Sequence, residues 1–208
     1  MKVSQIYQDY MIPQNLQEHM LRVAALAEIL LEHWIGTAVD KNSIIQACLF
    51  HDIAKPMTFD LAKQAKFGML PSDIEKLDKL QKRLKTKYGD EEYLATVKII
   101  KTIGCTPNAV RQAESLDWKH IPMLLENSEI ESLILIYCDM RISPKGILPL
   151  LARLEELKER TVTEDYEGKV KDGLSLEFLI KQNVDLDVNS ITDAQLYNYF
   201  DRLFSRDI

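Results

Sequence analysis

With 208 residues, 46% of them hydrophobic and 28% charged, the chain has a globular composition and enough length to bury a core without disulfide or metal staples. That excludes disordered, collagen-like and low-complexity classes. A net charge of −6 argues against a nucleic-acid surface spread over the whole protein and leaves room only for a local basic patch. Seven Gly and seven Pro are few for this length, which points to long regular elements, helices before a turn-rich sandwich.

Asn15, with Glu18 three residues on, opens a helix expected to run to about Trp34 and to end at Gly36. Its apolar stripe, Leu16, Met20, Val23, Ala27, Leu30, Leu31 and Trp34, has the helical period. Asp40 caps a second helix over about 41–54, apolar nearly all round and therefore expected at the centre, and Pro56 stops it. Ser72 and Glu75 read as a capping box before a charged helix ending near Lys87. Gly89 and Asp90 break it, and Asp90 caps the next helix, to Ile103. Thr106 followed by Pro107 starts a short helix to about Leu116. Ser128 and Glu131 read as a further box, which favours a helix over a strand for ESLILIYCDMRI. Ser143-Pro144 repeats the cap-plus-proline signal before a helix to about Arg160. Gly168 and Gly173 mark loops, and two short helices follow, over 175–182 and 192–204, the second with a Thr192–Gln195 box. The expected organisation is a domain over 1–165 and a helical appendage over 166–208. The appendage is apolar enough, with Phe178, Leu196, Phe200 and Phe204, to dock on the core or on a second subunit in a homodimer.

Cys48, Cys105 and Cys138 form no CxxC pair, so a disulfide framework or thiolate zinc site is not expected. The first residues lack an apolar signal core and no stretch reaches the ~20 apolar residues of a membrane span. A soluble, cytoplasmic protein without membrane contact is the expectation.

The chain has only four histidines. His51 and Asp52 stand together near the end of the most apolar helix, where an ionised Asp costs several kcal/mol unless paired or metal-bound. Imidazole nitrogen with carboxylate oxygen suits a divalent ion. His19 lies near the start of the preceding helix, and a short connection makes the two helices antiparallel neighbours, so those ends meet. Asp139, the acid that follows LILIYC, is the fourth ligand candidate. His33 and His120 read as structural or exposed, and Lys79, Lys82, Arg83, Lys85 and Lys87 as a solvated helix face.

The order His19, His51-Asp52, Asp139, with the words EHMLRVAALA, ACLFHDIAKP and YCDMRISPKG around them, resembles the HD-domain superfamily of metal-dependent phosphohydrolases over about 15–160. The resemblance implies an all-α helical bundle with a central metal site held by His19, His51, Asp52 and Asp139. Binuclear members carry further His residues between the pair and the last Asp. This chain has only His120 there, and Tyr93 stands where a ligand His would be expected, so one ion per chain (Mn, Mg, Fe, Ni, Co or Zn) is expected. The subgroup with Glu three residues after the pair is not matched, since Lys55 stands there; HDIAK is closer to subgroups in which that Lys faces the substrate phosphate.

Lys55 has two readings, a helix C-terminal cation and a phosphate ligand. Arg22, one turn after His19, is read as a phosphate contact or as orienting Asp52. Arg141 and Lys145 are further candidates for substrate contact. The resulting expectation is a hydrolase in which Asp52 and Lys55 are catalytic and the substrate is a phosphate ester of a small molecule, in first place a nucleotide. The alternatives are a degenerate HD module that senses or scaffolds without turnover, and a helical interaction protein with no site.

Overall fold

The structure is a computed structural model and describes residues 1–65, 69–160 and 165–208, Arg160 by its backbone alone. The expected border between core and appendage runs beside residues 161–164, which lie outside the described residues. The described residues are mainly helical, with almost no strand. Thirteen α-helices run in order as α1 Val3–Asp9, α2 Gln14–Glu32, α3 Lys41–Phe50, α4 Leu61–Gln64, α5 Pro71–Tyr88, α6 Glu92–Thr102 and α7 Pro107–Glu114. They continue as α8 Ile121–Glu126, α9 Ile130–Arg141, α10 Leu150–Arg160, α11 Tyr166–Gln182, α12 Asp193–Tyr197 and α13 Phe200–Phe204. Short 3₁₀ turns cover Lys55–Thr58, Trp118–His120 and Val188–Ser190. Strands β1 Ile142–Ser143 and β2 Gly146–Ile147 pair antiparallel in a small hairpin.

Helix α2 is the spine. It packs against α3, α9, α12 and α13, and its residues from Met20 to Ala27 are buried except for the partly exposed Arg22. Helix α3 is apolar all round and packs on α2, α7 and α9. Its N-terminus is tied down by Asp40, whose carboxylate accepts from the Ser43 amide at 3.1 Å. Bonds of that kind favour the charged carboxylate, and the Ser43 hydroxyl and amide together hold Asp40 below its ordinary pKa against a partial loss of hydration. Ser43 Oγ also meets Thr106 Oγ1 at 2.6 Å, so the cap of α3 and the cap of α7 form one polar cluster. The C-terminal helices α12 and α13 lie on α2, while α11 packs on α8, α9 and α10.

Several expected boundaries differ from those observed. Helix α3 stops at Phe50 instead of continuing to residue 54. Gly168 and Gly173 sit inside α11, not in loops. A Cβ on Gly173 would come within 3.2 Å of Leu154 and of the Trp118 ring, so its lack of a side chain allows a close approach between helices. Ser143-Pro144 does not start a helix; it turns the hairpin, with Gly146 at φ 129°, and α10 starts at Leu150. Neither Ser72 nor Ser128 caps a helix. The N-cap of α5 is Leu70 with Pro71 behind it, and Ser128 has a left-handed φ of 56°. Asn15 and Asp90 likewise yield their expected places to Pro13 and Glu91, neither of which caps with its side chain. The Thr192–Gln195 box forms, but its helix breaks into α12 and α13. Helices α1, α4 and α8 were not foreseen. All three cysteines are buried and free, and among the described residues no helix is long and apolar enough to cross a membrane.

Candidate metal centre

His19, in the second turn of α2, and His51, the residue after α3, meet with their Nε2 atoms 3.3 Å apart. Asp139, near the end of α9, places Oδ1 3.1 Å from His19 Nε2 and 3.3 Å from His51 Nε2. Asp52 Oδ2 lies 3.9 Å from each imidazole nitrogen. Of the four residues that the sequence pattern singled out, His19, His51 and Asp139 thus converge on one point, and Asp52 stands just outside that group.

The donor set fits a single divalent ion. Two donors bound at right angles to one ion at about 2.1 Å lie about 3.0 Å apart, and two opposite donors about 4.2 Å apart. The separations of 3.1 and 3.3 Å among His19, His51 and Asp139 match neighbouring positions, and the 3.9 Å of Asp52 falls between the two limits. The tautomer of His51 agrees. Its Nδ1 lies 2.9 Å from the Cys48 carbonyl, which only accepts, so Nδ1 carries the hydrogen and the Nε2 lone pair faces the site. That lone pair lies 3.3 Å from a carboxylate oxygen, an arrangement that repels unless a proton or a cation stands between them.

The electrostatics favour a cation. Burial by itself would lower the His51 pKa, but Asp52 and Asp139 outweigh burial and raise it to about 9. Burial pushes the Asp139 carboxyl upward, and the two imidazoles reverse this and hold it well below the carboxylate range. A field that attracts a proton to this point also attracts a divalent ion, so binding releases a proton.

Lys55 opens the 3₁₀ turn just beyond the His-Asp pair. Its ammonium lies 3.7 Å from Asp52 Oδ1 and 3.4 Å from Glu92 Oε1, with the side chain 44% exposed. Asp52, against the partial loss of hydration and together with Glu92, raises its pKa, so it remains a cation. Glu92 is held in turn by the Thr58 hydroxyl, which donates to Oε2 at 2.6 Å. Neither Glu92 nor Thr58 was marked by the sequence; their partners lie too far along the chain for any local pattern to show.

The other candidate contacts are placed differently. Arg22 turns toward α12, donating to the Tyr197 hydroxyl and lying 3.6 Å from Glu18 and 3.8 Å from Asp193. Arg141 is only 1% exposed, which corrects its reading as a substrate contact. Its guanidinium donates to the Leu148 carbonyl, the Tyr137 hydroxyl and the Val188 carbonyl. It therefore ties α9 to the hairpin and to the C-terminal residues. Lys145 is exposed on the hairpin turn. His33 pairs with Asp185 at 2.8 Å, His120 Nδ1 meets the Ser115 carbonyl at 3.0 Å, and Tyr93 donates to the Glu114 carbonyl at 2.8 Å, so all three stand apart from the metal donors. Arg141→Met is expected to leave three acceptors without their donor at roughly 1–3 kcal/mol each, lowering stability by about 3 kcal/mol or more. Denaturant unfolding measures this; unchanged stability with a raised KM would return Arg141 to the substrate.

The family model of the HD domain matches residues 16–102. The matched span runs from α2 to the end of α6 and contains His19, His51 and Asp52, while Asp139 comes from α9 beyond it. Comparison with curated proteins gave no match, and neither did comparison with solved structures. The all-α fold and the resemblance of the His-Asp words to the HD superfamily therefore stand, and HD domains of this superfamily are in general metal-dependent phosphohydrolases.

Proposed function

We propose that the protein is a metal-dependent phosphohydrolase that binds one divalent ion per chain and cleaves the phosphate ester of a small molecule, a nucleotide in first place. The observation that carries this reading is the convergence of His19, His51 and Asp139 within 3.3 Å of one another, with Asp52 joining the ion site to Lys55. A bound ion would supply a water of lowered pKa and draw charge from a phosphoryl oxygen. The chain's own groups do the rest. Asp52 has two oxygens, one turned to the imidazoles and one to Lys55, and serves as acceptor for the proton that the attacking water gives up. Lys55 is the cation beside this pair and offsets charge on the non-bridging phosphate oxygens while the bond from phosphorus to the ester oxygen breaks. Glu92 and Thr58 hold the Lys55 ammonium in that place.

The test is phosphate release from a panel of nucleotides and other phosphate esters by protein reconstituted with Mn²⁺, Co²⁺, Ni²⁺ or Mg²⁺. Turnover that depends on the ion, with close to one ion per chain, is the expected result. Tight binding of metal and nucleotide with no phosphate released would replace the hydrolase by a sensor module.

A further inference from the structure

A groove of about 860 Å³ runs between α1, the first turns of α2 and the start of α5. It does not include the candidate metal donors, but its lining lies on α2, which carries His19, and on α4 and α5, which follow the turn that carries Lys55. On one side, Asn15 and Glu18 of α2 line the groove. Asn15 precedes His19 by four residues, so it shares a helix face with that ligand about 6 Å further along the axis. On the other side, Gln64 and Leu77 line the groove, and they follow the 3₁₀ turn that carries Lys55. Gln81 of α5 bonds the Pro56 and Phe59 carbonyls at 2.9 and 2.7 Å, which fixes α5 to that turn.

The lining is selective. Tyr7, Met11, Ile12 and Leu77 give an apolar floor, and Gln8, Gln14, Asn15 and Gln64 set neutral amides around it. Gln14 and Gln64 each donate one bond to the chain, to Glu18 and to the Asp60 carbonyl, and keep their amide oxygens as acceptors. Among the described lining residues the one lysine or arginine is Lys76, and it is paired with Asp73 at 2.9 Å. Glu18 and Asp73 give the groove two carboxylates.

We infer that this groove receives the leaving group of the phosphate ester, and that its lining selects a nucleoside 5′-monophosphate over the di- and triphosphates. The inference rests on the hydrolytic reading of the metal centre. One phosphate sits at the ion and Lys55, where the positive charge is. The flat, apolar and hydrogen-bonding nucleoside suits a floor of apolar side chains edged by amides. A second or third phosphate would find no free cation in this lining, since Lys76 is held by Asp73 while Glu18 is met by Arg22, and it would lose hydration without gaining a charged partner.

The experiment compares AMP, ADP, ATP, glycerol phosphate and p-nitrophenyl phosphate as substrates of the Mn²⁺-loaded full chain, together with titration calorimetry of AMP. Gln8→Trp and Asn15→Trp fill the groove from exposed positions and spare the core. The expected result is a kcat/KM for AMP at least tenfold above those for ADP, ATP and glycerol phosphate. In the Trp variants the ratio of kcat/KM for AMP to that for p-nitrophenyl phosphate should fall at least tenfold. Preference for ATP, or a ratio unmoved by both Trp variants, overturns the inference. If no ester is hydrolysed, the hydrolytic reading fails on its own. AMP binding that both Trp variants weaken would then still support the groove, and AMP binding that is absent or unaffected by them would overturn it.

Discussion

His51→Ala is expected to lose bound metal and hydrolysis together. The imidazole is wholly buried, its Nδ1 is engaged by the Cys48 carbonyl, and its Nε2 is the donor that touches both His19 and Asp139. Without it, Asp52 and Asp139 keep their negative charge beside a single imidazole, so the ion is held by fewer donors and the carboxylates lose a partner. An ion that stabilises transition-state charge by several kcal/mol accounts for a loss of roughly 10³-fold or more in kcat. Asp139→Asn gives the same outcome with less disturbance of packing, since that side chain is 29% exposed. Elemental analysis beside kcat is the check. Either variant retaining a full equivalent of metal and its turnover would show that the ion, or the reaction, lies elsewhere.

Lys55→Met is expected to keep the metal and lose about 10–150-fold in kcat/KM, the equivalent of about 1.5–3 kcal/mol for a bond to a charged group. The competing account, in which this lysine is a helix C-terminal cation, has the geometry against it. Helix α3 ends at Phe50, and Lys55 begins a separate 3₁₀ turn, where its ammonium faces Asp52 and Glu92. At 44% exposure the side chain adds little by packing, so stability should stay nearly constant. Steady-state kinetics and thermal melting on the same preparation separate the two roles. A lowered Tm with unchanged kcat/KM would make Lys55 a structural cation only.

What could be read from the sequence follows a physical divide. The candidate metal donors were legible because His51-Asp52 places two ligand types at the end of a helix apolar on every side, where only a partner or an ion makes them tolerable. Helix connectivity then brings His19 to them. Caps were legible where the cap residue had the N-terminus to itself, as at Asp40, Thr106 and Thr192. They misled where proline or a neighbour changed the local geometry. Pro144 fixes a φ that suits a tight turn as well as a first helical residue. Glu131, the would-be partner of Ser128, is instead engaged by the Asp40 amide, Asn108 and Gln112. Arg141 was read as a substrate contact for its charge, yet it follows Asp139 by two positions, and two residues turn a helix by about 200°, which sends it away from the candidate ion site. Its true neighbour is Tyr137, one turn back on the same face. The pairing of Lys55 with Glu92 and the capture of Arg22 by Tyr197 join distant segments, and no local period announces them.

The early end of α3 has a chemical effect far larger than its four missing residues suggest. In a helix running to Ala54, the Asp52 amide would claim the Cys48 carbonyl, four residues behind it. Because the helix stops at Phe50, that carbonyl belongs to the last turn and is one of the acceptors a helix leaves unused. His51 Nδ1 takes it up. The backbone thereby selects which imidazole nitrogen keeps its hydrogen, and the length of a helix decides the orientation of a lone pair. A substitution that lengthened α3 by one turn would deprive His51 of that acceptor without touching any donor atom, and would leave the ring free to choose the tautomer that cannot bind.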